Sequence, residues 1–348
     1  MRFGLIGCGW AGEMRANAIA ALSGFRLVVV SDQDVARANH VARGHGAAVE
    51  PNWRTLVART DLDAVIVSTP PPLHAEMCVA ALEQGKHVLC EKPLARNPEE
   101  GRQIADAARR HQRLLGTGFN LRFFPPIVKA REILDSGQIG ELDHIRSFAG
   151  HPGGSEFTHP WVHDANVMGG GTLLDNGIHI IDLAAYFLGD VAEVAGFASN
   201  HVWQFPGCED NGFALLRNAA GRVATLHASW SEWRGYQFRV EVYGTRGCVV
   251  ASYPPMMARV VRLEQPGGPS RKQTFLFPKL QVLERLRSYR WSILQSFIHE
   301  MDAFGRAVRG EKTSVALGMD GLRAVEVAHA VYVSSREARS VRLATPSS

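Results

Sequence analysis

The chain has 348 residues, of which 46% are hydrophobic and 21% are charged, and its formal net charge is +4. This length is typical of two domains rather than one small core, and the composition is that of an ordinary globular protein. The positive charge is mild and mostly dispersed, which gives no indication of nucleic-acid binding. No run approaches the 18 apolar residues of a membrane-spanning helix. We therefore expect neither nucleic acid nor membrane as a partner.

Cysteine usage indicates the compartment. The cysteines are odd in number and form no C-x-x-C pair: Cys8, Cys78, Cys90, Cys208 and Cys248. Free thiols in a reducing cytoplasm are favoured over a disulfide scaffold or a zinc ribbon. Met1-Arg-Phe already begins a strand, which leaves no room for a secretory signal peptide. We predict a cytoplasmic protein.

The first predicted element is a short apolar strand, Phe3–Ile6, followed at once by a glycine-rich turn and an alanine-rich helix. In this turn Gly7 allows a sharp bend and Gly9 lets the backbone approach a pyrophosphate, while Gly12 lets the helix pack close to the strand. The phosphates would lie at the helix N-terminus, where free amides and the helix dipole favour negative charge. The pattern predicts a dinucleotide site.

A second strand, Leu27–Ser31, ends in Asp32, which lies 20 residues after Gly12. This is the expected place for a carboxylate that binds the adenosine ribose hydroxyls and repels a 2′-phosphate. NAD is therefore favoured over NADP, although Arg37 keeps NADP open; a cap of the next helix is the alternative role of Asp32. We expect Asp32→Ala to weaken NAD binding more than NADP binding in parallel titrations. Equal losses would exclude the ribose contact.

Strands and helices then alternate, which is the pattern of a doubly wound parallel sheet. The predicted strands are Ala64–Ser68, His87–Cys90 and Leu114–Thr117, and the predicted helices are Leu73–Gln84 and Pro98–His111. Ligands of such sheets bind beyond the carboxyl ends of the strands. Thr69-Pro70 and Glu91-Lys92 are therefore expected to face the cofactor.

The stretch Gly169–Asp182 begins with three glycines and continues with a helical pattern. Thr172 is predicted to cap the helix, and Asp175 and His179 lie one turn apart on one stripe. A carboxylate there can orient and charge an imidazole that acts as a base. The structural alternative is a capping box formed by Thr172 and Asp175. Gly177 inside the helix costs about 1 kcal/mol relative to alanine, so a neighbour is expected to need the space above it.

From about Ile145 the pattern changes to strands with alternating faces. The predicted strands are Val194–Ser199, Gly212–Leu216, Val223–Trp230, Phe238–Tyr243, Cys248–Ala251 and Val260–Leu263, and two helices follow near Trp291–Arg309 and Gly318–Ala338.

Two features of this half have alternative interpretations. His151, His159 and His163 precede the glycines, and the last two have metal-ligand spacing. Pro160 interrupts a helix between them, so a substrate-pocket or loop role is favoured and no metal is expected. A basic segment can receive a phosphorylated or nucleotide-linked sugar, but a solvated arm or subunit contact is preferred. Its residues are Arg271, Lys272, Lys279, Arg285, Arg287 and Arg290.

Four motifs together resemble the glucose–fructose oxidoreductase/inositol dehydrogenase (Gfo/Idh/MocA) family. They are Gly7-x-Gly9-x-x-Gly12, Ser68-Thr-Pro70 with His74, Glu91-Lys-Pro93, and Gly169-Gly-Gly-x-Leu-x-Asp175-x-Gly-x-His179. The resemblance implies an α/β Rossmann dinucleotide-binding domain over 1–119 and an α+β domain with an open, mostly antiparallel sheet over 120–343, followed by a frayed tail over 344–348. Association into a homodimer or homotetramer through an exposed face of this sheet is expected.

The resemblance also implies site residues. Lys92 would lie between nicotinamide and substrate and stabilise the developing alkoxide, while His179 takes the hydroxyl proton and Asp175 orients it. The cofactor contacts are expected at Gly7, Gly9, Trp10, Ala11, Gly12, Asp32, Ser68, Thr69, Pro70, His74, Glu91, Lys92, Asn120 and Trp161. Substrate contacts are expected at Arg122 and His163 besides the catalytic three, with pairing to an interdomain carboxylate as the alternative for Arg122. Val162 stands where family members often carry arginine.

The implied function is NAD-dependent interconversion of a hydroxyl and a ketone on a sugar, sugar acid or cyclitol. A first alternative keeps the cofactor but is a glycosidase that oxidises its sugar transiently. A second is a non-catalytic NAD-binding regulator, against which the joint presence of Lys92, Asp175 and His179 argues.

Overall fold

A computed structural model describes residues 1–154 and 159–344. The expected frayed tail therefore lies, apart from Ala344, outside the described residues. The chain divides into two compact units, Met1–Phe123 with Arg287–Leu322, and Phe124–Leu286 with the residues from Arg323 onward. The division differs from the expected boundaries because the segment Arg287–Leu322 completes the core of the first unit.

The secondary structure alternates in the first part of the chain and is rich in strands in the second. The strands are β1 (Arg2–Ile6), β2 (Arg26–Ser31), β3 (Ala48–Val49), β4 (Ala64–Val67), β5 (His87–Cys90), β6 (Leu115–Thr117), β7 (Leu142–Gly150), β8 (Val191–Ser199), β9 (Asn211–Asn218), β10 (Val223–Ser229), β11 (Gln237–Gly244), β12 (Gly247–Tyr253), β13 (Met257–Leu263), β14 (Ser270–Leu276) and β15 (Val341–Arg342). The α-helices are α1 (Trp10–Ala20), α2 (Val35–His45), α3 (Trp53–Ala58), α4 (His74–Glu83), α5 (Pro98–Arg110), α6 (Pro125–Asp135), α7 (Ala165–Met168), α8 (Thr172–Asp175), α9 (Gly177–Leu188), α10 (Pro278–Arg287), α11 (Arg290–Val308) and α12 (Gly318–Glu337).

The first unit contains a six-stranded parallel sheet in the order β3-β2-β1-β4-β5-β6. The strand order reverses between β1 and β4, and in open sheets of this kind ligands bind at that switch point. Helix α11 closes one face: Phe297, Met301 and Phe304 share a buried cluster with Phe3 and Leu5. The Rossmann architecture predicted from the sequence is confirmed, and α2, β3 and α3 are additions to it.

The second unit contains a nine-stranded sheet in the order β14-β13-β12-β11-β7-β10-β9-β8-β15. Neighbouring strands are antiparallel except β7 and β10, which run parallel, so the predicted open, mostly antiparallel sheet is confirmed. Helix α9 packs on β7 and β10, and α6 packs on β11 to β13. The opposite face is open: in β9 Phe213 and Leu215 are exposed, whereas Ala214 and Leu216 are buried. This alternation is typical of a sheet covered on one side.

Within the described ranges, no helix has the length and hydropathy needed to cross a bilayer.

Candidate active site

The glycine-rich turn has the geometry of an anion site. Gly7 has φ +92°, and a Cβ there would lie 2.3 Å from the Ser68 carbonyl oxygen. A Cβ at Gly12 would lie 2.0 Å from the Gly7 oxygen, so only glycine lets α1 approach the turn. Above Gly9 the space is open, with no atom of the described residues within 4 Å of a Cβ position. The turn and the N-terminal amides of α1 therefore fit a pyrophosphate.

Asp32 connects the end of β2 to this turn. Its Oδ2 accepts from the Cys8 amide at 2.6 Å, and its Oδ1 accepts from the Asp34 amide at 2.8 Å. Arg37 is half-exposed, and its Nη1 lies 4.0 Å from Asp32 Oδ2. The cap of α2 is Asp34, which accepts from the amides of Ala36 and Arg37. The alternative capping role of Asp32 is therefore taken by its neighbour, and its ribose contact stays a prediction.

The turn that carries Lys92 is held by its neighbours. Glu91 Oε1 accepts from Arg15 Nε at 2.7 Å, and Arg15 Nη1 donates to Glu300 Oε2 at 2.5 Å. The Arg15 and Glu300 side chains are fully buried. Lys92 itself is half-buried, and its bond to Pro93 is cis, as considered from the sequence. A buried ion network thus anchors the residue that precedes Lys92.

His74 connects this turn to the segment after β4. Its Nε2 lies 2.7 Å from the Thr69 carbonyl oxygen and its Nδ1 lies 3.0 Å from that of Pro93. The residue is 1% exposed, and burial lowers the pKa of its imidazole although the carbonyl contacts oppose this. The structure thus gives His74 a role in joining two loops, and its cofactor contact stays a prediction.

Two other predicted site residues, Asn120 and Arg122, make polar side-chain contacts within the first unit. Asn120 is buried and its Nδ2 donates to Ser296 Oγ at 2.8 Å. Arg122 is buried and its Nη1 lies 3.5 Å from Oδ2 of Asp320, a carboxylate of the same unit. The remaining predicted contacts lie beside the strand ends: Trp10 and Ala11 begin α1, and Ser68, Thr69 and Pro70 follow β4.

In the second unit the glycine triplet makes room for protein groups. Gly169 has φ +85° and ends α7. A Cβ at Gly170 would lie 2.1 Å from the Tyr332 hydroxyl oxygen, and one at Gly171 would lie 2.3 Å from the Glu209 carbonyl oxygen. Side chains at these two positions would displace Tyr332 and Glu209, which explains why glycine is needed.

Glu209 caps the short helix α8. Its Oε2 accepts from the Gly171 amide at 2.8 Å, and its Oε1 accepts from the Leu173 amide at 2.8 Å and from the Tyr332 hydroxyl at 3.0 Å. The prediction that Thr172 caps this helix is wrong: Thr172 is its first residue, and its hydroxyl donates to Asn176 Oδ1. The alternative prediction, a capping box formed by Thr172 and Asp175, is wrong for the same reason. Glu209 lies 36 residues beyond Leu173, so no local pattern reveals it.

We expect Glu209 to make stability depend on pH. Burial raises its pKa to about 7 from an ordinary 4.5, against the lowering effect of the hydrogen bonds that the carboxylate accepts. The folded protein then holds this proton more tightly than the unfolded chain, so the contribution is present at low pH and lost as pH rises from about 5 to about 7, by up to about 3 kcal/mol. Glu209→Gln cannot titrate. Urea unfolding across this range should show the stability of the wild type falling relative to the variant, and parallel curves would contradict the prediction.

Asp175 ends α8 and contacts groups from two other elements. Its Oδ2 accepts from Trp230 Nε1 at 3.0 Å and lies 3.2 Å from His151 Nε2. His179 is half-buried in the first turn of α9, one turn beyond Asp175. A Cβ at Gly177 would lie 2.7 Å from Ala228 Cβ, so β10 occupies the space that the glycine leaves. Trp230 and His151 are partners that sequence patterns alone did not assign to Asp175.

Aromatic rings pack against Trp230, which donates to this carboxylate. His163 stacks on Phe205 with ring centroids 4.1 Å apart and meets the Trp230 ring edge-on at 5.3 Å. Burial lowers the pKa of His163, which favours a neutral ring. Trp161 is 37% exposed and its ring is parallel to that of His159. Within 1–154 and 159–344, no three His, Cys, Asp or Glu residues are arranged to hold a metal ion.

A parallel sheet with a glycine-rich turn at its switch point is the architecture of dinucleotide-binding domains. The second unit carries a carboxylate and an imidazole four residues apart, a pair that can serve acid–base chemistry. Comparison with known proteins names the family. Residues 1–119 match the oxidoreductase family with an NAD-binding Rossmann fold, and residues 127–250 match the GFO/IDH/MocA C-terminal domain. The chain therefore belongs to the Gfo/Idh/MocA oxidoreductase family, and the cofactor of its Rossmann domain is NAD.

Individual relatives extend over most of the chain. Inositol 2-dehydrogenase of Rhizobium meliloti is 29% identical, with 99% of each chain covered. A dTDP-3,4-didehydro-2,6-dideoxy-alpha-D-glucose 3-reductase of Saccharopolyspora spinosa is 32% identical over 77% of this chain and 80% of its own length. Among solved structures, an NAD binding oxidoreductase from Klebsiella pneumoniae superposes with a TM-score of 0.86 at 25% identity, covering 99% of both chains.

Proposed function

We propose that this oxidoreductase interconverts a secondary hydroxyl and a ketone on a cyclitol, sugar or sugar acid. The relatives named above act on an inositol and on a nucleotide-linked deoxysugar, which share the CH–OH group. The observation that carries the proposal is the cluster around Asp175: a carboxylate with two fixed partners, one helical turn before His179. Such a cluster can move a hydroxyl proton.

When bound, NAD supplies the hydride acceptor. The amides of the Gly7–Gly12 turn and of the first turn of α1 would hold its pyrophosphate, and Asp32 would accept from the ribose hydroxyls. Lys92 donates a hydrogen bond to the reacting oxygen and stabilises the negative charge that develops there. His179 accepts the hydroxyl proton, and Asp175 stabilises the imidazolium that results.

The test is a screen for NAD reduction with inositols, aldoses, sugar acids and nucleotide sugars, with NADP in parallel. Steady NADH formation with a simple polyol or sugar supports the proposal and excludes the glycosidase alternative, in which NAD is not consumed. Glycoside cleavage with tightly held NAD and no net NADH would support that alternative. Clean NAD binding without turnover on the whole panel would favour the non-catalytic regulator.

We also propose that a second copy of this chain covers the open face of the second unit's sheet. A row of rings crosses neighbouring strands there: Phe197 pairs with Phe213, Phe213 with His227, and His227 with Phe148. Phe197 is 70% exposed and Leu215 beside the row is 54% exposed. Exposed apolar patches of this kind mark association surfaces.

All five cysteines are free thiols, which supports the cytoplasm as the proposed compartment.

A further inference from the structure

We propose that His151 is a positioning residue of the candidate active site: its neutral imidazole donates Nε2–H to Asp175 and fixes that carboxylate for work with His179. The inference rests on the proposed function, because it assigns the group that prepares Asp175 for the proton transfer.

The backbone determines which ring nitrogen of His151 carries the proton. His151 follows the last residue of β7 and is 4% exposed. The Gly153 amide donates to its Nδ1 at 3.1 Å. An amide N–H can only donate, so Nδ1 must present its lone pair, and a neutral ring then carries its proton on Nε2. That nitrogen faces Asp175 Oδ2 at 3.2 Å.

A second donor reaches the same oxygen. Trp230 Nε1, which can only donate, lies 3.0 Å from Asp175 Oδ2, and Trp230 is fully buried. His151 and Trp230 are themselves held together, because the His151 amide donates to the carbonyl oxygen of Ser229, the residue before Trp230. The ends of β7, β10 and α8 thus converge on one carboxylate oxygen. Two donors on one carboxylate oxygen favour the charged form and hold that oxygen in place.

The neutral tautomer matters because of the charges around Asp175. Besides His151, the titratable groups that interact with Asp175 include His163, which lies just before α7, and Tyr236, which lies just before β11. His179 follows four residues along the chain. A cationic His151 would neutralise the carboxylate, whereas the neutral tautomer orients it and leaves its negative charge. That charge can then stabilise His179 when it becomes imidazolium.

Two substitutions of similar size separate orientation from bulk packing. His151→Gln retains an N–H donor toward Asp175, and His151→Leu removes it. We expect His151→Leu to lower kcat by about 10- to 100-fold. Because Asp175 then loses a donor to its charged form, the acid limb of the plot of kcat/KM against pH should move to higher pH by about one unit. His151→Gln should retain kcat within about threefold and leave the limb in place, and the NAD dissociation constant should be unchanged in both. Trp230→Phe should move the limb in the same direction as His151→Leu.

Equal activity losses in the Leu and Gln variants, or an acid limb that stays in place in His151→Leu, would overturn the proposal. A measurement without substrate separates it from the proposed function. The ¹⁵N resonances of His151 in the NAD-bound protein should show Nε2 protonated and Nδ1 unprotonated at pH 7.5. A proton on Nδ1 in an active enzyme would refute the positioning role alone. The expected tautomer in a protein that turns over no polyol or sugar would refute only the proposed function.

Discussion

Replacing Arg15 by methionine is expected to lower the free energy of unfolding by about 3–5 kcal/mol. The guanidinium lies between the carboxylates of Glu91 and Glu300 and over the ring of Phe297, 4.3 Å from its centroid. Those carboxylates raise the pKa of Arg15 against the opposing effect of burial. Without the cation, two carboxylates stay in the interior with no compensating charge from it, and one of them anchors the turn of Lys92.

Denaturant unfolding measures this loss, and the chain offers a matched control. Arg109 pairs with Asp106 on α5, where both side chains are more than half exposed. Arg109→Met should cost less than about 1 kcal/mol, because surface ion pairs contribute little. The double variant Arg15→Met/Glu300→Met should recover part of the stability by removing one of the stranded carboxylates. If Arg15→Met and Arg109→Met lower the free energy of unfolding equally, the buried ion network stabilises the fold no more than a surface ion pair does.

Replacing His179 by alanine is expected to lower kcat by about 10²- to 10⁴-fold while the NAD dissociation constant changes less than about twofold. General-base catalysis depends on one group that accepts the hydroxyl proton, whereas the proposed NAD contacts lie on the glycine-rich turn of the first unit. The measurement is kcat on any substrate found in the screen, together with direct titration of NAD.

An exposed histidine of the same unit, His201, provides the control. His201→Ala should leave kcat and NAD affinity unchanged. Turnover that survives in His179→Ala would show that another group takes the proton, and the assignment of His179 as the base would then be abandoned. A parallel loss of NAD affinity would instead indicate damage beyond the proton transfer.

Patterns that are local in the sequence predicted the first unit well. Gly7 and Gly12 lie where close backbone contacts require glycine, and the strands around them have the expected bounds within a residue or two. Helix α5 illustrates why: Asn97 caps it, Pro98 begins it, and acidic and basic residues occupy its first and last turns. Each of these signals acts over only a few residues.

Such local patterns could not predict contacts between distant parts of the chain. Glu209 supplies the cap that Thr172 was expected to provide, and His151 and Trp230 reach Asp175 from two strand ends. None of these pairings leaves a periodic or spacing signal. Strand β14 was missed for a different reason: nearly all of its residues are exposed, so it lacks the alternation of buried and exposed positions that identifies a strand.

The first unit is built from two separate segments of the chain, and this affects when it can fold during translation. Helix α11, which covers the face of β1 and supplies Glu300 to Arg15, is translated only after most of the second unit. A nascent chain that has left the ribosome as far as Phe123 therefore exposes the surface on which Phe297 and Phe304 later pack, and it holds Arg15 with one carboxylate instead of two. Domains often fold one after another during translation, but here the first unit is complete only once Arg287–Leu322 has been made.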